Sequence, residues 1–125
     1  MVLGGRRCGI DIKSTVGRLY QGDTARVTFL QCTAEDVAQH EPASFDLVVL
    51  CDVLHHVPSP ERPSLLSAIR RAMVPGGSLA VGDDVEFFTP QSMQALLIGA
   101  FGPDAVRGKA LVRPWSNNIA YHIRR

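Results

Sequence analysis

Two groups of polar side chains interrupt the apolar runs of this chain. Asp52, His55 and His56 close the run FDLVVLC that begins at Phe45, and Asp83 and Asp84 close a shorter run from Ser78 to Val81. A further acidic residue, Asp11, stands near the end of RCGIDI. Imidazole trades a proton near neutral pH, so His55 or His56 could act as a base toward a hydroxyl, phenol or amine. A carboxylate at a strand end has enough lone pairs to accept two hydroxyl donors at once. Asp83 and Asp84 read as solvated loop acids, with a place bordering a substrate site as the alternative. His40 and His122 read as surface residues.

The elements that must position these groups alternate. Strand-like runs are expected over Arg7 to Ile12, Val27 to Cys32, Asp46 to Cys51 and Ser78 to Val81. Lys109 to Arg113 and Ile119 to Ile123, flanking the turn-rich Pro114 to Asn118, predict a terminal antiparallel hairpin. Ser59, with Pro60 behind it, signals a helix start, and Pro75-Gly76-Gly77 signals its stop. Thr89-Pro90 and Gly102-Pro103 bracket a second helix, with Met93, Leu96, Leu97, Ala100 and Phe101 on one face. Shorter helices are expected at Ser14 to Gln21 and Ala34 to His40, the latter with Thr33 and Asp36 placed as a capping box. This alternation predicts an α/β fold: a mostly parallel, doubly wound sheet with right-handed crossovers. In such a sheet ligands bind at the carboxyl ends of the strands, where the polar groups above collect.

At 125 residues the chain reads as a single domain, residues 1–125, with 46% hydrophobic and 20% charged residues. Net charge is +1 and the arginine pairs are scattered, so nothing marks a nucleic-acid or anionic-membrane surface. No apolar run is long enough to cross a bilayer, and no signal-peptide stretch stands at the start. The three cysteines, Cys8, Cys32 and Cys51, have no C-x-x-C spacing and fall in apolar runs. They read as reduced, buried packing residues, which suits a cytoplasmic protein.

The segment from Phe45 to Val81 resembles the fourth and fifth strands of class I S-adenosylmethionine-dependent methyltransferases, of the small-molecule type. The resemblance extends over almost the whole chain and implies a Rossmann-like sheet, S-adenosyl-L-methionine as cofactor and a small-molecule methyl acceptor. It implies that Asp11 and Ile12, in Gly9-Ile10-Asp11-Ile12, hold the ribose. It implies that the loop Gln31-Cys32-Thr33-Ala34-Glu35-Asp36 contacts the adenine through Thr33, Ala34 and Glu35. Thr33 replaces the family's usual aspartate and is also an N-cap, which leaves the Ala34 backbone as the better adenine contact. Cys51, Asp52, His55 and His56 fall in the loop that passes beside the sulfonium and the acceptor. In-line methyl displacement needs alignment and a dry pocket, with a base for protonated acceptors.

The family opens with a strand and a glycine-rich loop, yet none of the 11 glycines here forms a G-x-G. Met1 to Gly5 lies too few residues before Asp11 for a parallel crossover. The expectation is a sheet lacking its usual first strand and helix at the N-terminal side. Such a gap leaves strand edges unpaired, which a homodimer could cover. The alternative reading is a degenerate, non-catalytic methyltransferase-like domain acting through self-association or a partner. A phosphoacceptor receiver is disfavoured by its misplaced acidic pair and the absence of a suitable lysine. A dinucleotide oxidoreductase is disfavoured by the missing G-x-G-x-x-G.

Overall fold

The structure, a computed structural model, describes residues 6–22, 24–112 and 118–125. Its elements are β1 (Arg7–Asp11), β2 (Val27–Gln31), α1 (Ala34–His40), β3 (Phe45–Cys51), α2 (Arg62–Ala72), β4 (Met73–Asp84), α3 (Pro90–Phe101), β5 (Val106–Val112) and β6 (Asn118–Arg124). Short 3-10 turns at Leu54–His56 and Ser59–Glu61 connect β3 to α2. The expected α/β class is borne out. The terminal hairpin also forms, with β5 antiparallel to β6. Arg113 to Asn117, which include most of its expected turn, lie outside the described residues, as do Met1 to Gly5.

The strands are grouped in two sheets. β1 and β2 form a parallel pair, and the second sheet has the order β3-β4-β6-β5. In it β3 and β4 are parallel, while β6 runs antiparallel to β4 and β5. Among the described residues no ladder joins β1 to β3. Side chains join the two sheets instead. Ala38 of α1 packs with Ala68 and Ala72 of α2, and Phe45 lies against them. Alanines let the helix backbones approach closely. Glu35 pairs with Arg71 at 2.5 Å across the same seam. Arg6 pairs with Glu41 at 2.5 Å, and its guanidinium lies 5.4 Å over the Phe45 ring. The amino ends of β1 and β3 therefore meet.

The main core lies on one face of the four-stranded sheet, under α2 and α3. Leu79 and Val81 of β4, and Ile119, Tyr121 and Ile123 of β6, point into it at the two-residue period of a strand. Leu66 and Ile69 of α2 and Met93 and Leu97 of α3 meet them. On the opposite face Leu47 and Val49 of β3 are 61% and 63% exposed.

Four local expectations are corrected. Residues 14 to 21 form turns, not a helix: the N–H groups of Val16, Arg18 and Tyr20 reach back only three residues, to Lys13, Thr15 and Gly17. Gly17, at φ +75°, bends the backbone out of the helical region. Ser59 makes no side-chain cap; it opens a 3-10 turn, and α2 starts at Arg62 with Pro63 in its first turn. β4 begins at Met73, directly after α2, and runs through Pro75-Gly76-Gly77 to Asp84. Gly76 at φ +80° absorbs the kink, and a register shift between Phe45 and Leu47 marks the irregularity. The cysteines are free, but Cys8 and Cys32 are only half-buried and Cys51 is exposed, so they are not the buried packing residues expected.

The two other helix starts form as expected. Thr33 caps α1 and Thr89 caps α3, each accepting from the N–H of the third helical residue, Asp36 or Ser92, and donating its own N–H back to that residue's side chain. Thr89→Ala should lower stability by about 1 kcal/mol in urea denaturation. A change well under half of that would show that α3 is held by packing alone.

Candidate functional site

β3 and β4 are parallel neighbours, so the segments leaving their carboxyl ends lie side by side. Asp52, the first residue beyond β3, holds φ +56°. Aspartate visits this left-handed region more readily than most residues, at an energetic cost. Two bonds hold it there: its N–H donates to Gly82 O at 3.0 Å, and its Oδ1 accepts from Asn118 Nδ2 at 3.1 Å. The reversal at Asp52 sends the chain into the Leu54–His56 turn. Leu54 anchors that turn by inserting fully into the core. Arg62, at the head of α2, donates its Nε–H to the carbonyls of Leu54 and Val57, both at 3.0 Å. Its guanidinium also lies 4.8 Å over the Phe88 ring.

This turn presents His55 to Asp83. Asp83 is fully buried, not the solvated loop acid expected from its place after an apolar run. It belongs to β4, and it continues the inward register of Leu79 and Val81. Its Oδ2 accepts from the His55 backbone N–H at 3.1 Å, and its Oδ1 accepts from the Asp84 N–H at 2.8 Å. His55 Nδ1 lies 2.7 Å from the same Oδ1. The imidazole is further stacked on Phe87, with centroids 4.5 Å apart and planes 6° from parallel. The His56 ring also lies against it, at 3.9 Å and tilted by 41°. The solvated reading of Asp83 rests on ending the strand at Val81, whereas β4 runs on to Asp84. The signal was present in the alternation Leu79, Val81, Asp83. Asp84 instead forms the turn into α3: its carbonyl accepts from the Phe87 and Phe88 N–H groups, and its Oδ1 accepts from the Glu86 N–H.

The other expected site residues stand at the carboxyl ends of β1 and β2. Asp11 and Gln31 are register partners, and Cys32 N–H donates to Asp11 O at 3.0 Å. Asp11 and the Thr33-Ala34 turn thus share one rim. Asp11 is exposed, and its Oδ1 accepts the Lys13 N–H at 3.1 Å. Ile12 is exposed beyond the strand, its carbonyl bonded by Gln31 Nε2 at 3.1 Å. Thr33 Oγ1 accepts from the Asp36 N–H at 3.1 Å. Hydrogen bonds from Thr33, its backbone N–H foremost, hold the Asp36 carboxyl below its ordinary range. The Ala34 N–H lies outside this capping box. The Glu35 side chain turns toward Arg71 of α2. Partial burial pushes the Cys8 and Cys32 thiols up, which makes them poor nucleophiles. His122 is exposed and contacts Ser78 Oγ at 3.0 Å, and His40 is exposed in the last turn of α1. Among the described residues no cluster of ligating side chains could hold a metal ion, and no helix is long and apolar enough to cross a membrane.

A methyltransferase-domain family matches residues 2–81, well over half of the chain. The chain belongs to the class I S-adenosylmethionine-dependent methyltransferase family. A ubiquinone biosynthesis O-methyltransferase of Idiomarina loihiensis is 31% identical over 111 residues, covering 84% of this chain and 42% of that protein. The chain therefore spans less than half the length of that curated relative. An S-adenosylmethionine-dependent methyltransferase from Mesorhizobium loti superposes with a TM-score of 0.70 at 15% identity, over 96% of this chain and 80% of that one. A Burkholderia thailandensis 1,6-didemethyltoxoflavin N1-methyltransferase, solved with 1,6-didemethyltoxoflavin and S-adenosylhomocysteine, matches with a TM-score of 0.61 at 19% identity, over 80% and 51%. At these identities the two structures speak for the fold alone, and the fold is the Rossmann-like methyltransferase one.

The His55 turn depends on Arg62. Arg62→Met keeps an apolar stem but removes the donor shared by two carbonyls. It should cost about 1–3 kcal/mol in denaturant unfolding. A stability unchanged within error would remove Arg62 as the clamp of the turn.

Proposed function

We propose that this chain binds S-adenosylmethionine and transfers its methyl group to a hydroxyl of a small-molecule acceptor. The observation that carries the reading is the shared rim of Asp11 and the Thr33-Ala34 turn, joined by the bond from Cys32 N–H to Asp11 O at 3.0 Å. The residues there fit a nucleoside. One oxygen of the exposed Asp11 takes the Lys13 N–H, and the carboxylate keeps capacity for ribose hydroxyls. The Ala34 N–H, outside the capping box, is a donor for an adenine ring nitrogen, with Ile12 flanking the ribose side. Thr33 and Glu35 have their side chains engaged within the fold and contribute shape, not bonds.

The cofactor supplies an electrophilic methyl on a positive sulfonium. Cys51 and the strained Asp52 turn line the approach to it, and His55 stands beyond them as the base for the acceptor. His56, tilted against His55, borders the acceptor side. A hydroxyl acceptor is supported by the O-methyltransferase name of the relative at 31% identity. Three free cysteines suit a reducing, cytoplasmic setting. The uncovered Leu47 and Val49 on β3 favour self-association as a homodimer, for which light scattering at low micromolar concentration is the check.

Calorimetric titration with S-adenosylhomocysteine tests the reading. Saturable binding is expected, and Asp11→Ala should weaken it by roughly 10- to 100-fold, the loss of charge-assisted hydrogen bonds. Absence of binding by the unaltered chain would support instead a non-catalytic member of the family. Unchanged affinity in Asp11→Ala would take Asp11 out of the site.

A further inference from the structure

We propose that Asp83 is the positioning residue for His55: it fixes the imidazole in the Nδ1–H form and leaves Nε2 as the atom that takes a proton from the methyl acceptor. The inference rests on the methyl-transfer reading above and adds to it the residue that orients the base.

The geometry begins with burial. A carboxylate without access to water must be satisfied by donors. Asp83 is fully buried and receives two fixed backbone donors, His55 N–H on Oδ2 and Asp84 N–H on Oδ1. Both oxygens are thus committed as acceptors. His55 Nδ1, 2.7 Å from Oδ1, meets an acceptor and must carry the hydrogen. These bonds and one ring contact keep the imidazole from turning over. Asp83 grips the backbone and the ring of the same residue, and Phe87 covers one ring face at 4.5 Å. Nε2 then points away from Asp83, and it makes no hydrogen bond to any described residue. The side chain of His55 remains 16% exposed, so the ring has a path to a ligand.

The consequence is chemical. The acceptor oxygen gives its proton to His55 Nε2 while its electron pair forms the new bond to the methyl carbon. The carbon–sulfur bond breaks, and its electron pair stays on sulfur, which becomes a neutral thioether. The imidazolium so formed is held against the Asp83 carboxylate and returns its proton to water. A base placed this way serves acceptors that carry a hydrogen on the attacking atom, such as alcohols and phenols. It gives nothing to acceptors that lack one, such as tertiary amines and thioethers.

Two-bond proton–nitrogen correlation on the full chain, labelled with nitrogen-15 at histidine, reads the tautomer directly. His55 signals are assigned by their loss in His55→Gln. At a pH where the ring is neutral, the expected pattern is a protonated Nδ1 and a bare Nε2. In Asp83→Asn the carboxamide cannot accept from all three donors, and the Nδ1–H pattern should be lost. A protonated Nε2 in the unaltered chain overturns the proposal, as does an Nδ1–H pattern that survives in a folded Asp83→Asn. If Asp83→Asn does not fold, the unaltered chain alone decides. The S-adenosylhomocysteine titration separates the two layers: no binding there overturns the methyl-transfer reading, while the tautomer answers for the placement of the ring.

Discussion

A carboxylate sealed from water organises the functional edge of this molecule. Burying a charge is expensive unless every lone pair finds a donor. Asp83 finds its donors in two segments at once, the end of its own strand and the turn after β3. The turn therefore cannot drift without stripping a buried charge of its partners. Leu54 in the core and the Arg62 side chain on the turn carbonyls act in the same direction. The result is a histidine whose backbone and ring are both fixed, beside an Asp52 backbone held in a conformation few residues tolerate. Rigidity of this kind suits a displacement reaction, where alignment contributes more than covalent help.

The architecture divides the labour between two sheets. The parallel pair β1-β2 carries Asp11 and the Thr33-Ala34 turn, and the four-stranded sheet carries Asp52, His55 and Asp83. Their relative placement depends on a seam of small residues, Ala38 against Ala68 and Ala72, with Phe45 beside it. Substituting a larger side chain there forces the helices apart and with them the carboxyl edges of the two sheets. The pairs Glu35–Arg71 and Arg6–Glu41 flank the seam. They are solvent-exposed, so the packing of the alanines carries more of the energy than the charges do.

Much of the fold was legible because local signals agreed with one another. The Thr33 and Thr89 caps, the Gly102-Pro103 stop and the apolar face of α3 each appear where the residue types place them. The strands were legible from their apolar runs, but their ends were not. Pro75-Gly76-Gly77 carries every mark of a loop, yet β4 passes through it because Gly76 takes up the positive φ of a bulge. That misplaced boundary hid Asp83: beyond an assumed strand end an aspartate reads as solvated, whereas one more alternation places it inward. The turns at residues 14 to 21 failed for the opposite reason, since an adequate composition was defeated by one glycine at φ +75°. Residue type and position single out the histidine pair, but the difference between His55 and His56 lies in a partner 28 residues away in sequence.

The central claim is that the edges of both sheets form one site, with a nucleoside grip at Asp11 and Ala34 and a base at His55. Backbone amide chemical shifts, followed while S-adenosylhomocysteine is added, test it most directly. The account predicts that amides of residues 11–13, of Ala34 and of residues 52–56 move together along one saturation curve. Movement confined to one sheet, or none at these positions, would contradict it.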